Sequence, residues 1–207
     1  MDLVQPVQAV IPGSQGRILA ALAETSAELS LRTIARLSGV SIAQASRVMP
    51  KLVELGMVER REVPPSALFR LVDEHVASRA VLALAGARRT VLEQVGRAAS
   101  ALAPPPVSVI LFGSFARGEA GADSDIDVVV VRPAAVAEED EAWASGLEAW
   151  RQQARRITGN RIEIIEVSQR KIARLLKGRE PLWSDVASDG LVIFGRPLSE
   201  LTVERRA

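Results

Sequence analysis

The chain has 207 residues, of which 48% are apolar and 25% are charged, a balance typical of folded proteins. It has no cysteine and one histidine, His75. This excludes disulfides, thiolate metal sites and histidine-rich metal centres, so any metal is expected to be a hard cation held by carboxylates. The net charge of +1 does not by itself indicate nucleic-acid binding. Without a membrane-length apolar window or a signal-like N-terminus, the sequence predicts a cytoplasmic protein with no membrane partner.

The first part of the chain has the pattern of three short helices. Apolar residues recur at helical spacing over residues 15–24, and Ser30 is placed to cap a second helix. Ser41 is placed to cap a third helix, which Gly56 ends. The apolar positions expected on the buried face of this third helix are Ala45, Val48, Leu52 and Leu55.

Two strands are predicted next, at residues 57–62 and 67–72, around a pair of prolines. Three helices followed by a hairpin is the order of a winged helix, which we assign to residues 1–72. Residues 73–103 are predicted to form one long linking helix, capped by Asp73, before a run of three prolines ends it.

The third helix has a polar stripe suited to DNA. In a helix-turn-helix, the second helix of the motif presents side chains to the major groove. Gln44, Arg47 and Lys51 lie three and four residues apart and so share one face, and Arg61 adds charge on the hairpin. The segment LRTIARLSGVSIAQASRVMPKLVELGMV resembles the helix-turn-helix of MarR and ArsR regulators. The resemblance implies DNA as a partner and suits a homodimer that reads paired half-sites; the alternative is a winged helix that mediates only protein contacts.

Beyond the prolines, strands and helices alternate. The predicted strands are at 107–112, 125–131, 161–167 and 191–194, and the predicted helices are at 138–157, 168–176 and around 183–187. This order predicts a domain over residues 104–207 with helices on one face of a mixed sheet, and so an α+β fold for the whole chain.

The segment VILFGSFARGEAGADSDIDVVVV contains the residues that indicate chemistry. Gly113 would let the backbone approach a phosphate, and Ser114 would present an amide and a hydroxyl to it. Asp125 and Asp127 lie two apart on a predicted strand, so their side chains point to the same side. Two neighbouring carboxylates repel unless a cation lies between them, and Mg²⁺ suits oxygen ligands. The segment therefore predicts a phosphate site beside a metal site.

The words GSFARG and SDID, with ten residues between Ser114 and Asp125, resemble the minimal nucleotidyltransferases of the superfamily that includes DNA polymerase beta. The resemblance implies that Asp125 and Asp127 bind Mg²⁺ and that Gly113 and Ser114 hold the triphosphate of an NTP, with ATP expected. It also implies a further phosphate contact from Arg117 and a third carboxylate on a later strand.

Two glutamates compete for the role of third carboxylate. Glu163 and Glu166 lie three apart on the strand predicted at 161–167, so they face opposite sides of the sheet. If Ile162 and Ile164 pack under the helices, Glu163 shares the open face with the aspartate pair. Glu163 is therefore the preferred catalytic and metal-binding candidate, and Glu166 is the alternative.

Two hypotheses for the function follow from the resemblance. The first is an enzyme that transfers a nucleoside monophosphate from an NTP to a hydroxyl, with pyrophosphate leaving in line. Its acceptor would be a protein, as in related antitoxins that adenylylate a toxin, or a small molecule such as an aminoglycoside. The second is a DNA-binding transcriptional regulator whose nucleotidyltransferase-like domain only senses nucleotide.

Overall fold

The computed structural model describes residues 1–202, which form two compact units. The N-terminal unit is Gln5–Arg88, and the C-terminal unit combines Met1–Val4 with the residues from Arg89 on. The described residues contain helices and two separate sheets, one antiparallel and one mixed. The predicted α+β class is therefore confirmed.

The N-terminal unit is a winged helix. Its elements are α1 (Pro6–Val10), α2 (Gly13–Ala23), β1 (Leu29–Ser30), α3 (Leu31–Leu37), α4 (Ile42–Glu54), β2 (Val58–Val63), β3 (Ser66–Leu71) and α5 (Val76–Ala85). The three strands form an antiparallel sheet in the order β1-β3-β2. The predicted three helices and hairpin are all present, whereas α1 and β1 were not predicted.

Side-chain caps begin both helices of the helix-turn-helix. The Ser30 hydroxyl accepts the Thr33 N–H at 3.2 Å and begins α3. At α4, Ser41 and Gln44 form a capping box, in which each side chain accepts the other residue's backbone N–H. These two bonds satisfy donors that the first turn of a helix leaves free.

The buried face of α4 differs in part from the prediction. Ala45, Met49 and Leu52 are buried, whereas Leu55 is 59% exposed. The prediction for Leu55 is wrong because α4 ends at Glu54, and the residue after the last turn no longer follows the helical stripe.

The predicted single helix over 73–103 is also wrong. The structure has two helices, α5 and α6 (Ala87–Ala99), with Gly86 between them. Glycine is a poor helix former, and the Gly86 N–H closes α5 by donating to the Leu82 carbonyl at 3.0 Å. The α5 cap is His75, whose Nδ1 accepts the Ala77 N–H at 3.3 Å, and not Asp73.

The C-terminal unit is built on a four-stranded sheet. After α6, its elements are β4 (Ser108–Phe112), α7 (Gly113–Arg117), β5 (Ile126–Arg132), α8 (Glu141–Thr158), β6 (Ile162–Ser168), α9 (Gln169–Leu176), α10 (Pro181–Asp189), β7 (Leu191–Gly195) and α11 (Leu198–Leu201). The strand order is β6-β5-β4-β7. β5 and β6 are parallel and the other pairs antiparallel, so the sheet is mixed, as predicted.

The centre of this sheet is buried on both faces. Consecutive residues of β4 and β5 point in opposite directions, yet Val109–Leu111 and Val128–Val131 are all 0% exposed. Residues of α9 and α10 pack with Ile110, Val129 and Val131 on one face. α8 packs against β6 and is joined to α6 by a bond from the Trp150 indole N–H to the Val95 carbonyl. The two central strands, β4 and β5, are therefore covered on both faces.

Among residues 1–202, no helix combines the length and the apolar character that crossing a membrane requires.

Candidate functional site

The glycine after β4 lies directly against an aspartate of the neighbouring strand. Gly113 has φ +71°, a left-handed conformation that turns the chain from β4 into α7. A Cβ at this position would lie 2.7 Å from the Asp127 Oδ2. The absence of a side chain at Gly113 therefore allows the turn and the Asp127 carboxylate to meet.

The two aspartates lie at the start of β5. Asp125 precedes the strand, and Asp127 is its second residue, paired in register with Phe112 of β4. Ile126 and Val128 are buried in the core. Burial raises the pKa of Asp127 above its ordinary value, and the negative charges of Asp125 and Glu163 raise it further. Three carboxylates are thus close enough to repel one another.

The strand register distinguishes the two candidate glutamates. In the parallel pair β5·β6, Asp127 is in register with Glu163, and registered residues point to the same face. Glu166 is in register with Val130 and forms an ion pair with Arg132, which is 5% exposed. The structure brings Glu163, and not Glu166, to the aspartate pair.

Arg161, which the sequence reasoning missed, bonds to this group of carboxylates. Its Nη2 donates to the Glu163 Oε1 at 2.9 Å, and its Nε lies 4.0 Å from the Asp125 Oδ1. Because Arg161 directly precedes β6, its side chain reaches both neighbours. The sequence shows this arginine two residues before Glu163, but only the pairing of β5 with β6 reveals that it also reaches Asp125.

The two other predicted phosphate contacts differ in their surroundings. Ser114 follows Gly113 in the first turn of α7 and is half-buried. Arg117 is exposed and pairs with Glu119 at 2.9 Å and with Asp189 at 3.8 Å. Its guanidinium is therefore already engaged by two carboxylates.

Asn160 is a second residue that the sequence reasoning missed. It is 5% exposed, and its Nδ2 donates to the carbonyls of Ala122 at 3.2 Å and Ser124 at 3.0 Å. These bonds hold the loop that leads into Asp125. Gly159, in a left-handed conformation, ends α8 and brings Asn160 to this loop. In the sequence the glycine indicates the end of the helix, but nothing indicates the loop that Asn160 contacts.

The carboxylates of this site are candidates to hold a divalent cation. Over residues 1–202, no three or more His, Asp or Glu side chains are already close enough together to hold one metal ion. The donor chemistry fits, since Asp125, Asp127 and Glu163 all offer carboxylate oxygens. The mutual repulsion at Asp127 is also the condition that a bound cation relieves.

The predicted DNA-contacting residues all lie in the N-terminal unit. Arg47 and Lys51 are exposed on α4, one helical turn apart. The Gln44 side chain is occupied by the capping box at the start of the same helix. Arg61, on β2, forms a two-pronged ion pair with Glu28. Arg47 and Lys51 are therefore the two predicted contacts whose side chains have no partner among the described residues.

Each half of the chain is similar to a known protein family. Residues 92–184 match the family model of the nucleotidyltransferase domain. Residues 16–62 match the model of the IclR helix-turn-helix domain. A winged helix-turn-helix is thus supported, although the MarR or ArsR type is not. A search of curated proteins finds no match to the chain. The chain is therefore similar to a nucleotidyltransferase domain over residues 92–184 and to a helix-turn-helix domain over residues 16–62.

Proposed function

We propose that the protein transfers a nucleoside monophosphate from an NTP, with ATP the expected donor, to a hydroxyl of a protein or small-molecule acceptor. The observation that supports this most strongly is the contact between the Gly113 turn and Asp127, with Glu163 in register beside it. Phosphoryl-group transfer requires a site for phosphate beside a group of carboxylates, and a glycine turn against Asp127 suits that arrangement.

Each residue has a role that follows from its place. The turn at Gly113 and Ser114 holds the triphosphate through backbone N–H groups and the serine hydroxyl. Asp125 and Asp127 bind the divalent cation, expected to be Mg²⁺. Glu163 accepts the proton of the attacking hydroxyl. Arg117 contributes a phosphate contact, for which it must exchange its present carboxylate partners.

A divalent cation held by Asp125, Asp127 and Glu163 would neutralise the negative charge of the phosphates. The chain's own part is to orient the triphosphate on the Gly113 turn, so that the bond to pyrophosphate lies opposite the attacking oxygen.

The experiment is incubation with labelled ATP, Mg²⁺ and candidate acceptors, followed by measurement of label transfer and pyrophosphate release. Asp125→Asn and Asp127→Asn are expected to abolish both. Asp123→Asn is the matched control, since Asp123 lies in the same loop, is exposed and has no partner among the described residues. Pyrophosphate release that survives in Asp127→Asn would reject the enzymatic function.

We further propose that the winged helix binds DNA through Gln44, Arg47, Lys51 and Arg61. The exposed pair on α4 supports this, together with the helix-turn-helix match. Arg47→Ala or Lys51→Ala is expected to weaken binding, and loss of a phosphate contact also reduces the salt dependence. Arg61→Ala should have a smaller effect because Arg61 already pairs with Glu28. Equal binding by all three variants and the parent would contradict this assignment.

The second candidate function is a regulator that binds nucleotide without turning it over. One observation favours it: the described carboxylates do not form a three-ligand set, and Arg161 is hydrogen-bonded to Glu163 and lies 4.0 Å from Asp125. It predicts saturable ATP binding without pyrophosphate release, and operator binding that changes with ATP. Turnover that depends on Asp127 would exclude it.

A further inference from the structure

A polar cleft lies beside Glu163, at the β6 edge of the sheet. It has a volume of about 400 Å³ and is formed by α8 and the beginning of β6. Three arginines line it, Arg151 and Arg155 from α8 and Arg161 just before β6, and Glu163 forms part of its wall. Glu148 is the other carboxylate in the lining. The cleft therefore has more positive than negative side chains.

These arginines are not strongly held by their present partners. Arg151 pairs with Glu148 at 2.7 Å and Arg161 with Glu163 at 2.9 Å, and both pairs are about half exposed or more. Exposed ion pairs contribute only about 0 to 1 kcal/mol, so a ligand can replace one partner. Arg155 has no side-chain partner among the described residues. All three guanidiniums can therefore turn toward an anion in the cleft.

The position of the cleft relates it to the transfer reaction. The strand order β6-β5-β4 places the Gly113 turn, which follows β4, and Glu163, on β6, on opposite sides of Asp127. In an in-line displacement, the attacking oxygen approaches from the side opposite to the leaving group. If pyrophosphate leaves from the Gly113 side, the acceptor enters from the Glu163 side, where this cleft lies.

We propose that this cleft binds the acceptor and that the acceptor is anionic, with a phosphate group near the hydroxyl that is modified. This rests on the proposed transferase function and specifies its substrate class. The acceptor oxygen forms a bond to the α-phosphorus, the bond from that phosphorus to pyrophosphate breaks, and the hydroxyl proton passes to Glu163 and then to solvent. A polycationic acceptor such as an aminoglycoside is disfavoured because it would meet three arginines.

The test compares ribose 5-phosphate with ribose, which lacks the phosphate, and with an aminoglycoside. Isothermal titration and label transfer from ATP are measured for each compound. Ribose 5-phosphate is expected to bind and to accept label better than ribose by about tenfold or more, since guanidinium–phosphate bonds are charge-assisted. The double variant Arg151→Gln/Arg155→Gln should lose this advantage.

Arg156→Gln is the matched control, because Arg156 is also exposed on α8 but does not line the cleft. It should keep the advantage of ribose 5-phosphate, and far-ultraviolet circular dichroism checks that each variant is folded. Equal use of ribose and ribose 5-phosphate, preference for the aminoglycoside, or an advantage that survives in the double variant would overturn the proposal. The proposed transferase function is tested separately by measuring slow ATP hydrolysis without an acceptor, in which water replaces the acceptor hydroxyl. This hydrolysis should depend on Asp127 whether or not the cleft binds an anionic acceptor.

Discussion

Substitution of Gly113 by alanine would test the contact on which the proposed site depends. Gly113 has φ +71°, and an L-residue in this conformation costs about 1–2 kcal/mol. The added Cβ would also lie 2.7 Å from the Asp127 Oδ2, closer than real Cβ contacts, so the carboxylate must move. A displacement of about 1 Å in a catalytic group can lower the rate about 100-fold.

Gly118→Ala provides the control for this experiment. Gly118 ends α7 with φ +74°, and a Cβ there would meet nothing within 4 Å. Both variants should therefore lose about 1–2 kcal/mol of unfolding free energy in urea. Only Gly113→Ala should lose pyrophosphate release by about 100-fold. Equal activity in the two variants would refute the proposal that this turn positions Asp127.

Three further predictions concern stability. The pKa of Asp127 is raised in the folded state, so the protein loses stability as the pH rises from the ordinary aspartate pKa through the folded-state value. Asp127→Asn should therefore have a higher Tm than the parent at pH 7 and no advantage at about pH 3. A lower Tm for the variant at pH 7 would contradict this. Asn160→Ala removes two part-buried hydrogen bonds to loop carbonyls and should lower the free energy of unfolding in urea by about 1–3 kcal/mol. An unchanged urea midpoint would show that the loop does not need these bonds. Glu166→Ala removes the carboxylate that pairs with the buried Arg132 and should lower the free energy of unfolding by about 2–3 kcal/mol. The double variant Arg132→Met with Glu166→Leu should recover most of that loss in the same measurement.

Local patterns were sufficient to predict most of the fold. The serines that cap α3 and α4 are short-range signals, since a cap bonds to backbone within three residues. The strands of the C-terminal unit were found because long apolar runs between turn residues indicate buried strands. The linking helix was mispredicted because its residues keep a helical pattern on both sides of Gly86, and one glycine costs only about 1 kcal/mol.

In the candidate site, too, the short-range features could be predicted from the sequence and the long-range contacts could not. The spacing of Asp125 and Asp127 predicted that they lie close together; Asp125 precedes β5, and its charge raises the pKa of Asp127. The choice of Glu163 over Glu166 could be argued from alternation, and the register of β5 with β6 supports it. The contact of Arg161 with Asp125 and the bonds of Asn160 to the loop could not be found, because they join residues 36 to 38 positions apart in the chain. Such pairings depend on tertiary structure.

The most direct test of the central claim is a crystal structure with a nonhydrolysable ATP analogue and Mg²⁺. The proposed function predicts the triphosphate on the Gly113 and Ser114 turn, with Asp125 and Asp127 coordinating the cation. It also predicts Glu163 facing the α-phosphorus from the side opposite the pyrophosphate. A triphosphate bound away from the turn, or aspartates that do not contact the cation, would contradict it.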